Sequence, residues 1–271
     1  MEKEMYSKEI LNMEEAAELF GVSVKTFIKL LKEEKVPARK IGREWRFSRK
    51  ALIEWLSSGD SQAYSASEVE ARDFFNEVAP QWEEIRKNYY DESIKNHLID
   101  LDLLKKNMTI VDLGAGDGYL SRAVAKYVKK VVAVDISSEM LKELKNKARE
   151  SGIKNIETVE SDALEVPLSS GSADMVCASM FLHHIKEPDS AIIEIARILK
   201  PGGSVFIADF FTHSNDELKE KMRDIWPGFN PETVKAWFER NGFKNLDIKS
   251  LPDEDAEGEK TSIFILTAVK G

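Results

Sequence analysis

The stretch TIVDLGAGDGYL, residues 109–120, limits the fold of this chain more than any other. A short β-branched run ends in Asp112, and glycines follow at positions 114, 116 and 118. Such a run closed by glycines reads as a strand turning sharply into a helix, a unit that belongs to a parallel sheet. The chain beyond it continues the pattern. YLSRAVAKYV, KVVAVDI, SSEMLKELKNKARESG, NIETVESD, ADMVCAS, PDSAIIEIARILK and SVFIADFF alternate helix and strand signals, which predicts an α/β, doubly wound, Rossmann-like sheet with helices on both faces. GFKNLDIKSL and TSIFILTAVK read as two more strands, a hairpin at the sheet edge around the acidic loop PDEDAEGEK.

A loop that leaves a parallel strand and enters a helix presents backbone N–H groups and the positive end of a helix dipole, and glycine lets a ligand lie against it. Dinucleotide sites use G-x-G-x-x-G, whereas the spacing here is G-x-G-x-G with Asp112 two residues before the first glycine. Asp112 and Asp117 would repel a pyrophosphate and accept a cationic ligand. Asp135, at the end of KVVAVD, is placed to accept both hydroxyls of a ribose, and in Ser161-Asp162-Ala163 a carboxylate and a backbone N–H suit an adenine. A glycine loop, a ribose acid and an adenine acid in strand order describe an adenosyl ligand without phosphates. S-adenosylmethionine, with its sulfonium and ammonium charges, answers that description.

With LKPGG at 199–203 added, residues 108–210 resemble the class I S-adenosylmethionine-dependent methyltransferases, in particular the branch of the ubiquinone/menaquinone C-methyltransferases and related small-molecule enzymes. CASMFLHHIKEPDSAIIEIARILKPGG matches that branch's fourth- and fifth-strand region. The resemblance implies a seven-stranded sheet, S-adenosyl-L-methionine as cofactor and a small-molecule acceptor. It implies cofactor contacts from Asp112, Gly114, Ala115, Gly116, Asp117, Gly118, Asp135, Ile136, Met140, Asp162, Ala163 and Ser179, with Met140 near the adenine and Ser179 beside the methionine end. FFNEVAPQWEEIRKNYYDE and the segment from Asp209 to Phe243 look like methyltransferases fused to an arsenic-repressor-type DNA-binding domain, a partner replaced here by another helix-turn-helix type.

Methyl transfer from a sulfonium is an in-line displacement, so the protein mainly aligns the nucleophile and excludes water. Candidate catalytic residues at the C-terminal ends of the fourth and fifth strands are His183, His184, Asp209 and His213, with one histidine of the pair open to a bracing role. No metal site is expected from these four, since nothing has ligand spacing on a single helix. Trp82, Tyr89 and Tyr90 read either as a lid or as packing against the sheet.

The first sixty residues read as a separate compact unit. Asn12 and Glu15 form a capping-box start to MEEAAELF, Gly21 stops that helix, and Ser23 caps VKTFIKLLKEEK. In the second helix Val24, Phe27, Ile28 and Leu31 are the expected buried face. PARKIGREWRFS reads as a hairpin around Gly42-Arg43, followed by Ser48 capping RKALIEWL. Residues 9–57 resemble the excisionase-type branch of the MerR-like winged helix-turn-helix domains. That resemblance places Lys25, Thr26, Lys29, Arg39, Lys40, Arg43 and Arg46 against DNA. Six of the 12 residues from Arg39 to Lys50 are basic and only Glu44 is acidic, which favours phosphate over a merely solvated face. SSGDSQAYSASEVE then reads as a linker, so the expected division is 1–60 and 61–271.

Charge supports that division: 12 Lys and Arg face 11 Asp and Glu in residues 1–60, leaving 27 against 37 in the remainder. The single cysteine, Cys177, excludes an intrachain disulfide and reads as a buried, inert thiol. The charged N-terminus lacks an apolar signal core and no apolar run reaches the length of a membrane span, so the expected location is the cytoplasm, with no membrane partner. The expected partners are a small-molecule substrate, duplex DNA through the N-terminal unit, and a second copy of the chain as a homodimer. Two rival readings stand beside the enzyme. One is a transcription regulator whose methyltransferase-like domain senses S-adenosylmethionine or a metabolite. The other, methylation of nucleic acid, is disfavoured by the acidic larger part and by the missing Asn/Asp-Pro-Pro-aromatic tetrad.

Overall fold

The computed structural model describes residues 8–33, 36–42, 44–58, 61–251 and 262–271. The chain separates into two compact units, Met1–Ser67 and Glu68–Gly271.

In the N-terminal unit a short strand β1 (Ile10–Leu11) leads into helices α1 (Met13–Leu19) and α2 (Val24–Glu33), a hairpin of β2 (Arg39–Ile41) and β3 (Glu44–Ser48), and helix α3 (Arg49–Ser58). The capping box forms as read: the Glu15 N–H donates to Asn12 Oδ1, and the Asn12 N–H donates to Glu15 Oε2, both at 2.9 Å. Gly21 takes φ +66°, which lets the chain turn between the helices, and Thr26 N–H donates to Ser23 Oγ at 3.1 Å. Phe27 and Phe47 are fully buried with ring centroids 5.2 Å apart, so the second helix is clamped to the hairpin; each such ring contributes about 2–3 kcal/mol. One expectation fails here. Ile28 is exposed, and Leu30 packs on the core with Leu31 instead, because the buried stripe is centred on Phe27 and Leu31 and leaves Ile28 on its solvent flank.

Helix α4 (Ser61–Val78) begins inside the segment expected as a linker. Its alanines and glutamates carry enough helix propensity to outweigh the serines. It ends where Pro80 forces a 3₁₀ turn, Ala79–Gln81, before α5 (Trp82–Arg86) and α6 (Ser93–Asp100).

The C-terminal unit is built on β4 (Thr109–Leu113), β5 (Lys130–Asp135), β6 (Ile156–Glu160), β7 (Ala173–Ser179) and β8 (Leu199–Phe210), all parallel, with β9 (Phe243–Ser250) and β10 (Ile263–Lys270) antiparallel to each other. Helices α7 (Tyr119–Val124), α8 (Ser138–Glu150) and α9 (Pro188–Ile198) cross between the parallel strands, while α10 (Asp216–Met222) and α11 (Pro231–Arg240) follow β8. The sheet order is β6-β5-β4-β7-β8-β10-β9, the seven strands expected. The hairpin is not simply appended at the edge: β10 pairs with β8 and carries β9 outside it. The residue pattern explains this, since IFILTAV is apolar on both faces and FKNLDIKS on one, and only the first can lie between two strands. The acidic loop called between them lies outside the described residues. Cys177 is buried in β7, and burial pushes its thiol well up, as an inert core residue requires. Among the described residues no helix is long and apolar enough to cross a membrane.

The chain order β4, β5, β6 runs one way across the sheet and β7, β8 the other, so the C-terminal ends of β4 and β7 flank the switch point, where open α/β sheets bind their ligands.

Candidate functional site

Two groups of residues lie around that switch point. The first is the glycine loop after β4. Gly114, Gly116 and Gly118 all have positive φ, +66°, +52° and +86°, a conformation that favours glycine whatever lies nearby. What lies nearby differs from expectation. A Cβ at Gly114 would fall 2.2 Å from the Phe181 ring, and one at Gly118 would fall 2.6 Å from Leu144; only at Gly116 is there room, with Trp82 Nε1 at 3.6 Å. Two of the three glycines therefore admit protein side chains, and at Gly116 a Cβ would stand in ordinary contact with the Trp82 indole.

The acids beside the loop are tied inward. Asp112 is buried, accepts from the Ser121 hydroxyl at 2.6 Å, and is pushed up to about 7 by burial. Asp117 is held by Lys147 at 2.6 Å, which also meets Glu83 at 2.7 Å. Lys147 thus engages one oxygen of Asp117, and the other, Oδ1, is buried without a hydrogen-bond partner. Asp135, at the end of β5, accepts the Gly116 N–H at 2.8 Å and the Ser137 N–H at 2.9 Å, and burial raises its carboxyl. Ser137 also caps α8 through Met140 N–H at 3.1 Å, which fixes the buried Met140 beside Asp135 and Ile136 in sequence. After β6, Asp162 Oδ1 accepts from Leu164 N–H at 2.9 Å and Ala163 is buried. At the end of β7 the Ser179 hydroxyl is buried with no partner. An orphaned hydroxyl at the switch point and a carboxylate, Asp135, hydrogen-bonded to the glycine loop fit the adenosyl cofactor read from the sequence.

The second group follows β7. Met180, at φ +53°, turns the chain into a 3₁₀ turn, Leu182–His184, whose first N–H donates to Asp209 Oδ2 at 2.9 Å. Asp209, fully buried at the end of β8, also accepts the Phe210 N–H at 2.8 Å and pairs with His183 Nδ1 at 2.6 Å. Burial works to lower the His183 imidazole, but the carboxylates of Asp209 and Asp224 outweigh it and hold the group above its ordinary value. His184 is pushed well below, by burial and by its charged neighbour. His213 accepts from Asn215 N–H at 3.2 Å through Nδ1, while its Nε2 is buried without a partner. So the structure brings His183 and Asp209 into one pair and sets His184 against His183, with centroids 4.1 Å apart. His213 is set apart, reaching them across the Phe210 ring.

Two functional candidates escaped the sequence. Asp224 is buried, with both oxygens unpartnered; its Oδ1 lies 3.6 Å from His183 Nε2 and 3.4 Å from His184 Nδ1. The signal was the left-handed end of α10 at Arg223, φ +58°, invisible in a sequence without glycine there. Arg86 is buried against the Tyr119 ring at 4.2 Å and Tyr90 at 5.6 Å, with Nε and Nη1 unpartnered. Trp82 packs edge-on against Phe75 at 5.5 Å. The Trp226 indole donates to Ile185 O at 2.9 Å, and the Ile225 and Trp226 N–H groups donate to His183 O at 3.0 Å, fastening this segment to the histidine turn.

In the N-terminal unit Lys25, Thr26, Lys29, Arg39 and Lys40 are exposed, while Arg46 is paired with Glu44 and donates to Trp45 O at 3.0 Å, so its charge is partly spent within the hairpin. Arg43 lies outside the described residues.

Comparison with known proteins bears on both units. Residues 111–207 match the methyltransferase domain family, and residues 10–60 match a helix-turn-helix domain family. Over 187 residues the chain is 32% identical to the ubiquinone/menaquinone biosynthesis C-methyltransferase UbiE of Idiomarina loihiensis, covering 58% of this chain and 74% of the relative. It is 30% identical to the demethylmenaquinone methyltransferase of Clavibacter sepedonicus, covering 52% and 68%. Among solved structures, the YcgJ protein of Bacillus subtilis superposes with a TM-score of 0.56 at 16% identity, covering 66% of this chain and 99% of that one. An S-adenosylmethionine-dependent methyltransferase from Aquifex aeolicus gives 0.55 at 23%, covering 70% and 98%. At these identities the two structures attest the fold.

Proposed function

This chain belongs to the class I S-adenosylmethionine-dependent methyltransferases, and from that premise we propose that it methylates a small molecule. The observation that carries the reading is the Ser179 hydroxyl, buried and unpartnered at the switch point between the glycine loop and the histidine turn. S-adenosyl-L-methionine supplies an activated methyl group. The residues that would hold it are Gly114, Ala115, Gly116 and Gly118 through the loop backbone, Asp112 behind that loop, and Asp135 on the ribose. Ile136, Met140, Asp162 and Ala163 lie about the adenine, and Ser179 stands at the methionine end.

On the acceptor side the proposed residues are His183, His184 and His213. Asp209 is a positioning residue, since its oxygens are engaged by Leu182, Phe210 and His183. His183 and Asp209 are buried and His184 and His213 half-buried, and an excess of 37 acidic over 27 basic residues in 61–271 disfavours a polyanionic acceptor. The quinones in the names of the two curated relatives are small molecules, which supports the same class. The N-terminal unit, drawn at residues 1–60 with the methyltransferase at 61–271, is proposed as a MerR-like DNA-contacting module using Lys25, Thr26, Lys29, Arg39 and Lys40.

The test supplies the full chain with methyl-labelled S-adenosylmethionine and a cell extract, then fractionates the products. Label in a small organic-soluble or polar metabolite is the expected result. Label confined to nucleic acid or protein would overturn the small-molecule reading, and cofactor binding with no label transferred, together with a cofactor-dependent change in DNA affinity, would favour the regulator.

A further inference from the structure

His183, His184 and Asp224 each offer one ligand atom to a common space, and these atoms lie within 4.8 Å of one another. The two measured edges, 3.6 Å from His183 Nε2 to Asp224 Oδ1 and 3.4 Å from His184 Nδ1 to the same oxygen, are close to the ~3.3 Å that separates ligands bound at about 2.0–2.1 Å around a tetrahedral zinc ion. Three further features point to a cation.

Asp224 is 5% exposed and neither of its oxygens has a hydrogen-bond partner, although burying a carboxylate in that state is costly. It is built in rather than stray: its N–H donates to Lys219 O at 3.0 Å, and the next two N–H groups donate to His183 O. Behind His183, Asp209 takes Nδ1 at 2.6 Å, which leaves Nε2 as the nitrogen facing Asp224. A carboxylate on the far nitrogen is the arrangement that orients metal-bound imidazoles and raises their basicity.

We propose that His183, His184 and Asp224 bind a divalent first-row metal ion, through Nε2, Nδ1 and the carboxylate respectively. Two nitrogens and one oxygen form a borderline donor set suited to zinc and cobalt rather than to magnesium or calcium, and three protein ligands leave a coordination position open. Water fills that position, or an acceptor with a hydroxyl or thiol does; the second use rests on the methyltransferase reading, while metal binding itself does not. His213 and Asp209, both weighed from the sequence, are outside the ligand set: Asp209 orients a ligand, and His213 is not among the converging atoms.

The experiment uses untagged full-length protein, stripped with a chelator and titrated with zinc against a chromophoric competitor, and with cobalt followed by visible absorption. One equivalent is expected, with the intense cobalt bands of a low-coordinate site. Asp224→Asn and His184→Gln should each weaken binding tenfold or more. Thermal melts establish that each variant is folded, and the partly exposed His184 provides the second variant should Asp224→Asn not fold. Failure of both metals to bind at about 100 µM, far above typical affinities of such sites, would overturn the proposal. So would binding unchanged in both variants. S-adenosylmethionine titrated into the stripped wild-type protein reports separately on the methyltransferase reading.

Discussion

The two ends of the site differ in how their polar groups are satisfied. At the proposed cofactor end Asp112, Asp117 and Asp135 each have an internal partner drawn from the loops and helices next to them, and Asp117 leaves only its Oδ1 buried without one. On the proposed acceptor side His213 Nε2 and both oxygens of Asp224 are buried without a hydrogen-bond partner. A pre-organised end holds its shape without ligand; an end with orphaned polar atoms is shaped to receive one. The contrast matches the chemistry, because the methyl donor is common to the whole family whereas the acceptor varies.

That contrast can be broken first at the glycines. Gly114→Ala, which drives a methyl into Phe181 in a left-handed conformation, is expected to cost about 3 kcal/mol in denaturant melts, against about 1 kcal/mol for Gly116→Ala. If the Gly114 loss is the clash, it shrinks in a Phe181→Ala background; an undiminished loss would show that backbone strain alone is responsible.

The next effect is on pH. Asp112 is pushed up to about 7, so the folded state binds a proton more tightly than the unfolded chain. Its contribution is present below about pH 4, is lost as pH rises through about 7, and is level beyond. Between pH 5 and 8 it should remove about 3 kcal/mol of stability. Asp112→Asn should flatten that part of the profile, and an unchanged slope would assign it to other groups.

Asp135→Ala sharpens the cofactor end specifically. Calorimetric titration should show S-adenosylmethionine binding weakened at least tenfold, about 1.4 kcal/mol. Equal affinities would remove Asp135 from the ribose.

The fold was legible because β4 and β5 read as apolar β-branched runs that end at an acid, Asp112 and Asp135, and Asp162 follows β6, in the order the sheet uses these strands. What was not legible needed contacts between distant segments. Nothing in DIWPGF shows that Asp224 returns to His183, forty-one residues earlier, because the turn is made by a left-handed Arg223 rather than by a glycine. Likewise the pairing of Asp117 with Lys147 depends on α8 packing beside the loop, and the exposure of Ile28 depends on which stripe of α2 faces Phe47.

The smallest expected effect lies in the N-terminal unit. Lys25→Ala should weaken duplex binding only a few-fold, but uniformly across sequences, and should lower the slope of log affinity against log salt by about one. Binding that ignores both salt and this substitution would turn the unit toward a protein partner.

The placement of β10 inside the sheet has a consequence for synthesis. As the chain emerges from the ribosome, β9 is complete before any strand exists for it to pair with, and β8 offers an open edge until Ile263–Lys270 arrives to fill the gap. The helices and hairpin of the first unit close over short sequence distances and can form early. The larger unit cannot, and its nascent form carries an unpaired, apolar strand edge of the sort that chaperones bind.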